Sequence, residues 1–244
     1  MRVRFLGSGD AFGSGGRFNT CIQLETETGG VLIDCGASSL VAMRRFGVEP
    51  NAIRTIFISH LHGDHFGGLP FLILDAQLVS RREGPLTIAG PPGLEVRLKE
   101  TMEALFPGSS KVRQRFPLEL VELAPGERRA LGDIAVTPFE VSHPCGAPPF
   151  ALRLEAGGKV VSYSGDTEWT DALVAAAEAA DLFIVEAYFF EKPVKSHLSY
   201  RTLLDHLEAL KPKRIVLTHM SADMLGRLAS ATHEAAEDGM VIEL

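Results

Sequence analysis

Ser59-His60-Leu61-His62-Gly63-Asp64-His65 sets three imidazoles and one carboxylate within six residues. It directly follows Ile53-Arg54-Thr55-Ile56-Phe57-Ile58, an apolar run that predicts a buried strand over 53–58. Past the strand's end, alternation turns His60 and His62 to the same side. Gly63 predicts a tight turn that carries Asp64 and His65. The segment can therefore offer nitrogen ligands to one cation, and nitrogen and oxygen ligands to a neighbour. Imidazole and carboxylate donors suit zinc and other first-row divalent cations. Two such cations about 3.5–4 Å apart can clamp the attacking and leaving oxygens of a displacement and generate hydroxide at neutral pH.

The same donor types recur singly further along: His143, Asp166 in Ser164-Gly165-Asp166-Thr167, and His219 in Leu217-Thr218-His219. Five of the eight histidines then fall into one pattern. His206 and His233 lie in polar, helix-like stretches and are predicted at the surface.

In order and spacing these pieces resemble the metallo-β-lactamase superfamily, and within it the ribonuclease Z branch. Phe5-Leu6-Gly7-Ser8-Gly9, Leu32-Ile33-Asp34-Cys35-Gly36, Gly67-Gly68-Leu69-Pro70, Val141-Ser142-His143 and Leu217-Thr218-His219-Met220-Ser221 carry the resemblance along the whole chain. It implies one metal on His60, His62 and His143, and a second on Asp64, His65 and His219. Asp166 would bridge them beside a shared water. In that branch the aspartate at the Asp64 position also serves as general base. A glutamate and a histidine protonate the leaving group, and the matching residues here are Glu186 and His197.

The chain departs from the branch at three places. Ribonuclease Z enzymes commonly carry a long arm that grips transfer RNA, in some forms between the third and fourth motifs. Here the stretch from His143 to Asp166 holds 22 intervening residues, filled by two predicted strands. The strand with Glu186 reads Val185-Glu186-Ala187-Tyr188 where the branch shows His-Glu-Ala-Thr, and Ser196-His197-Leu198-Ser199 stands where it shows His-Ser-Thr.

Strand patterns occur at 2–7, 21–25, 31–34, 53–58, 86–89, 118–122, 134–141, 150–155, 159–163, 182–185, 214–217 and 240–243. Helix patterns occur at 38–46, 69–80, 93–105, 170–179, 200–209 and 222–235. Gly29-Gly30 and Gly157-Gly158 signal hairpin turns, and Ser199 is a candidate helix N-cap. The pattern is consistent with an α/β fold, the αββα four-layer sandwich that the resemblance implies: two mixed sheets face to face with helices on both outer faces. It would form one hydrolase domain over residues 1–244, with the ligands on loops at one edge.

Composition narrows the function. At 45% hydrophobic residues the chain can bury a sizeable core, and no apolar run reaches the roughly 18 residues of a membrane span. The N-terminus enters a strand pattern without a signal-peptide h-region, and three scattered cysteines (Cys21, Cys35, Cys145) suit reduced thiols in a cytoplasmic protein. Cys145 lies two residues from His143, which raises a role near the metals; a small apolar filler is the plainer reading.

A net charge of −7 argues against broad nucleic-acid binding. Two divalent cations against Asp64 and Asp166 leave local positive charge, which favours anionic substrates such as phosphate esters. Gly7-Ser8-Gly9 with Gly13 lacks the spacing and the following helix of a dinucleotide loop, and reads as a flexible loop beside the metal edge.

The sequence therefore predicts a metal-dependent hydrolase with two divalent cations, Zn2+ or Mn2+. The expected activity is that of a phosphodiesterase on a small or nucleotide-derived diester. Asp64 would act on the nucleophile, and His197 with Glu186 on the leaving group. A transfer-RNA 3′ endonuclease, a hydrolase of esters, thioesters or lactones, and a non-catalytic metal-binding regulator are the alternatives. The expected partner is a small anionic substrate, with RNA as a further candidate, no membrane, and a homodimer compatible with the sequence.

Overall fold

The computed structural model describes residues 1–244, which form two seven-stranded sheets. In chain order the first half contains β1 (Arg2–Gly7), β2 (Cys21–Glu25), β3 (Gly30–Ile33), α1 (Ser39–Arg45), β4 (Ile53–Phe57), α2 (Gly63–Phe66), α3 (Leu69–Leu78), β5 (Leu86–Gly90), α4 (Leu94–Leu105) and β6 (Leu118–Glu122). The second contains β7 (Arg129–Leu131), β8 (Ile134–Glu140), β9 (Phe150–Ala156), β10 (Lys159–Tyr163), α5 (Ala172–Ala177), β11 (Leu182–Glu186), α6 (Tyr200–Asp205), β12 (Ile215–Thr218), α7 (Ala222–Leu225), β13 (Glu234–Ala235) and β14 (Val241–Glu243).

The last strand closes back on the first. The sheet orders are β14-β1-β2-β3-β4-β5-β6 and β13-β12-β11-β10-β9-β8-β7. Pairs β3–β4, β4–β5 and β5–β6 are parallel, as are β10–β11, β11–β12 and β12–β13. Parallel neighbours need crossovers, and each of these carries a helix, the last only the single turn α7.

Alternation along each strand explains the layers. From the first sheet, Val3, Phe5, Leu24, Ile33 and Phe57 meet Leu152, Val161, Ile184 and Val216 of the second in the core between the sheets. Their neighbours Leu6, Leu32, Ile56 and Ile88 face outward, under Met43, Leu72, Ile73 and Leu98 of the helices. Phe183, Val185 and Leu217 do the same for Leu173 and Leu203 on the far side. Strands buried on both faces read as continuous apolar runs, which is why their sequence pattern is so clear. The expected αββα sandwich is what the chain forms.

Several predicted boundaries move by one to a few residues, and three elements differ in kind. The 222–235 helix pattern yields only the single turn α7, a 3-10 turn at Leu228–Ser230 and the short strand β13. Each of these remnants packs against the second half of the fold, and Gly226 lies just after α7. His233 accordingly lies outside any helix, bonded at Nδ1 to the Tyr200 hydroxyl at 3.0 Å. Residues 63–66 form a one-turn helix in place of the expected glycine turn. The strand β7 was not anticipated from its exposed, polar Arg129-Ala130-Leu131.

Gly157 and Gly158 do form a two-residue hairpin, both at positive φ (55° and 71°), the conformation a tight antiparallel turn requires. Residues 26–29 make the other turn, with Gly30 already paired in β3. Ser199 caps α6, its side chain accepting from the Thr202 amide. No helix is long and apolar enough to cross a membrane.

Candidate metal centre

β1, β3, β4, β8, β10, β11 and β12 all run in one direction, so their C-terminal ends share one edge of the sandwich. His60 and His62 follow β4, His143 follows β8, Asp166 follows β10, Glu186 ends β11 and His219 follows β12. Backbone hydrogen bonds from Phe150 to Ser59 and from His219 to Ser8 stitch the two sheets together there. Residues up to 159 positions apart in sequence therefore converge.

Three overlapping groups of donors result. His60, His62 and His143 form one, Asp64, His65, Asp166 and His219 a second, and Asp166, Glu186, His197 and His219 a third. In the second, His65 Nε2 lies 3.2 Å from Asp64 Oδ2, and 3.3 Å from both Asp166 Oδ2 and His219 Nε2. His219 Nε2 lies 3.1 Å from Asp64 Oδ2 and 3.4 Å from Asp166 Oδ2. A tetrahedron with bonds of about 2.0–2.1 Å has edges of roughly 3.3 Å, so these spacings are those of ligands around a zinc-like cation. In the first group His143 Nε2 faces His62 Nδ1 at 3.1 Å. Asp166 Oδ2 is 3.8 Å from His60 Nε2 and 3.9 Å from His143 Nε2, so Asp166 stands between the groups.

The donors fit a cation on independent grounds. His60 Nε2 and Asp166 Oδ1 are buried without any hydrogen-bond partner. Leaving such atoms unsatisfied costs about 1–3 kcal/mol each, a cost that a bound cation removes. Burial disfavours a charged His65, yet Asp166, Asp64 and Asp34 outweigh it and raise its pKa well above the ordinary value. Burial would likewise raise Asp64, but His65 and His219 hold it far below the usual carboxylate range. The carboxylates call for positive charge, which divalent cations supply.

Asp34 was not singled out from the sequence beyond its place in a motif. It is fully buried at the end of β3, with φ +59°. Its Oδ2 accepts from His65 Nδ1 at 2.7 Å and from the Ser59 hydroxyl at 2.8 Å, and Ser59 Oγ sits 3.1 Å from His60 Nδ1. One carboxylate thereby fixes the tautomers of two imidazoles and leaves their Nε2 lone pairs facing the donors. His143 is oriented similarly, donating from Nδ1 to the Ser196 carbonyl at 2.7 Å. Gly36 lies so close that a Cβ there would stand 2.1 Å from the Asp64 carbonyl oxygen, which explains the glycine after Asp34-Cys35.

Glu186 and His197 also come together. Glu186 Oε2 accepts from His197 Nδ1 at 2.9 Å, and its Oε1 accepts from the Thr167 amide. Burial lowers His197, but the bond to Glu186 prevails and lifts it to about 9. Tyr188 stacks on His197 with centroids 4.6 Å apart and planes at 21°.

A cavity of about 200 Å³ opens over the centre, lined by His62, Asp64, His143, Asp166, Tyr188 and His197, with Ala11 and Phe12 at its rim. The loop of Gly7-Ser8-Gly9 is thus beside the site, as expected. Cys145 is not among the donors: buried, it donates to the Ala147 carbonyl. His206 lies elsewhere, stacked on Trp169 at 3.9 Å.

The family described as Anti-Pycsar protein Apyc1 matches residues 1–237. The chain belongs to this family. This member is 31% identical to a ribonuclease Z of Methanothermobacter thermautotrophicus, with 91% of this chain and 87% of the relative aligned. It is 27% identical to a ribonuclease Z of Bacillus licheniformis, covering 93% and 90%. The crystal structure of the human tRNase Z short form superposes with a TM-score of 0.81 at 28% identity, over 100% of this chain and 99% of that one. The Apyc1-family chain is therefore a metal-dependent hydrolase of the metallo-β-lactamase superfamily, in its ribonuclease Z and phosphodiesterase branch. Both alignments, 269 and 284 positions, are longer than the chain's 244 residues, so these relatives contain segments that it lacks.

Proposed function

We propose that this chain is a phosphodiesterase that works with two divalent cations, zinc or manganese, on a small or nucleotide-derived diester. The observation that carries it is the pair of donor groups sharing Asp166 at the floor of one cavity. His60, His62 and His143 would hold one cation, and Asp64, His65 and His219 the other, with Asp166 between. When bound, the cations would supply a hydroxide at neutral pH and offset the charge that builds on the phosphoryl oxygens.

The rest is the work of the chain. Asp34, through His65 and Ser59, keeps the imidazole lone pairs aimed. Asp64 lines the cavity, where its carboxylate can take a proton from the attacking water. His197, with Nδ1 committed to Glu186, has Nε2 left to give a proton to the leaving oxygen.

The names of the relatives favour the other reading, a transfer-RNA 3′ endonuclease, over the small diester: the curated matches are ribonuclease Z enzymes. Three features of the chain itself support the smaller substrate. The segment between His143 and Asp166 is taken up by β9, its two-glycine turn and β10. The aligned ribonucleases contain extra residues. The net charge is −7, whereas nucleic-acid affinity rests largely on cationic contacts to phosphates. Three free, buried cysteines suit a cytoplasmic setting.

Two measurements test this. Elemental analysis of protein purified without chelator, or reconstituted with zinc or manganese, is expected to approach two equivalents per chain; a folded protein that holds none after reconstitution sinks the reading. A panel of metal-loaded assays on a small phosphodiester, a phosphomonoester, a carboxylic ester and a pre-tRNA then assigns the substrate. The small diester is expected to show a kcat/KM at least comparable to pre-tRNA. Efficient, position-specific cleavage at the 3′ end of pre-tRNA, with negligible turnover of the small diester, establishes the ribonuclease reading instead.

A further inference from the structure

His219 owes its aim to its backbone. The rings of His60, His65 and His143 are each set by a partner on Nδ1. His219 Nδ1 is buried with no hydrogen-bond partner. The His219 backbone stands at φ +53°, in the left-handed region that a residue with a Cβ keeps only where its surroundings enforce it. One oxygen meets that turn. Fully buried Ser8 presents its carbonyl to the His219 amide at 3.2 Å and to the Thr218 hydroxyl at 3.3 Å.

Ser8 follows β1 in the first sheet and His219 follows β12 in the second, so this oxygen is only as well placed as Ser8 is held. Asp238 holds it, and the loop expected to be flexible is pinned at this point. Asp238 lies on the segment that crosses from β13 to β14, and hence from one sheet to the other. Its Oδ1 accepts from the Ser8 amide at 2.9 Å and from the Ser8 hydroxyl at 2.8 Å, and its Oδ2 accepts from the Phe18 amide at 2.8 Å. Hydrogen bonds to an ionised carboxylate are stronger than those between neutral groups. Arg17 closes the ring: its guanidinium donates to Ser8 Oγ at 3.1 Å and to the Ala236 carbonyl. Neither Asp238 nor Arg17 belongs to a donor group.

We propose that Asp238 and Arg17 are positioning residues for the cation assigned to Asp64, His65 and His219. Through Ser8 they hold the His219 backbone in the conformation that turns its imidazole toward Asp64 and His65. This rests on the two-cation reading and deepens it by tying one of the two cations to the C-terminal segment.

Equilibrium zinc titration of folded, chelator-stripped protein tests it without requiring turnover. The native chain is expected to take up two equivalents. Asp238→Ala should weaken one of them by roughly 10–100-fold, the scale of losing a group that orients a ligand, and leave the other as it was. Added to Asp64→Ala, which opens the same donor group, it should cost little further. Asp238→Asn keeps one acceptor oxygen and should fall between native and alanine. Arg17→Met keeps the aliphatic stem, should weaken the same site to a lesser degree, and carries the test with Asp238→Asn if Asp238→Ala does not fold. Asp181 is the control: its carboxylate also holds a backbone amide, that of Val160 at 2.8 Å, but at the start of β11, away from the donor edge. Asp181→Ala should leave both affinities alone. Hydrogen exchange of the His219 amide in metal-free protein is a second readout, and the Asp238 variants should speed it. Unchanged affinities in the folded variants overturn the proposal and leave the two-cation reading standing. Equal weakening of both sites, the mark of general loosening, overturns it too. A native chain that takes up no zinc removes the two-cation reading and the positioning role with it; faster exchange at His219 then marks the contact as structural.

Discussion

Replacing Asp64 by alanine is expected to lower kcat/KM on the best diester of the panel by more than about 10²-fold, the scale of a misplaced reacting group. The reason is geometric. Asp64 Oδ2 lies 3.1 Å from His219 Nε2 and 3.2 Å from His65 Nε2, so the substitution opens the second donor group. It also removes the carboxylate proposed to take the proton of the attacking water. Metal content should fall toward one equivalent. Asp64→Asn, which keeps the shape and loses the charge, separates the two contributions: it should lose most activity even where circular dichroism is unchanged. His206→Ala is the control. That ring stacks on Trp169 and its Nδ1 donates to the Thr202 carbonyl one turn back, so a modest loss of stability and little loss of activity are expected. Equal effects of the Asp64 and His206 substitutions would count against the assignment.

His197→Ala is expected to act according to the leaving group. A nitrophenolate departs with little proton assistance, whereas an alkoxide or ribose oxygen needs much. General acid catalysis typically contributes about 10²–10⁴-fold, so the loss should approach that range only for the poor leaving groups. Metal content should hold, since His197 is outside the proposed ligand set. The acid must be protonated to act, so its contribution disappears as pH rises through its pKa. Glu186 raises that pKa against the effect of burial. The alkaline limb should therefore lie above the ordinary imidazole value of about 6.5. Glu186→Gln should move it to lower pH. A uniform loss across leaving groups, or loss of a cation, would give His197 a structural or ligand role.

Much of this site was legible because chemistry restricts it. Three imidazoles and a carboxylate within six residues after an apolar run have few other uses, and the strands that position them are buried on both faces, so their pattern is strong. Asp34 was harder to read. An aspartate after an apolar strand looks like any turn residue until its carboxylate is seen under Ser59 and His65. Phe12 was equally silent, since an aromatic residue among glycines carries no signal that it will be left exposed beside a cavity. The false helix at 222–235 has a related origin: alanine-rich composition favours helix locally, and packing against the second half of the fold overrode it.

The sequence by itself determined the two-glycine hairpin at 157–158 and the cap at Ser199, because each rests on local pattern, while the layer order and the proposed metal donors were legible through the family resemblance that the motifs carry in their order. Only the tertiary structure decided which donors meet and which way they face. His60 and His219 are distant in sequence, and their approach depends on parallel strands of two sheets ending at one edge. The tautomers of His65 and His143 depend on partners from other loops, and that of His60 on Ser59, itself held by Asp34; such contacts leave no periodicity in the chain that makes them.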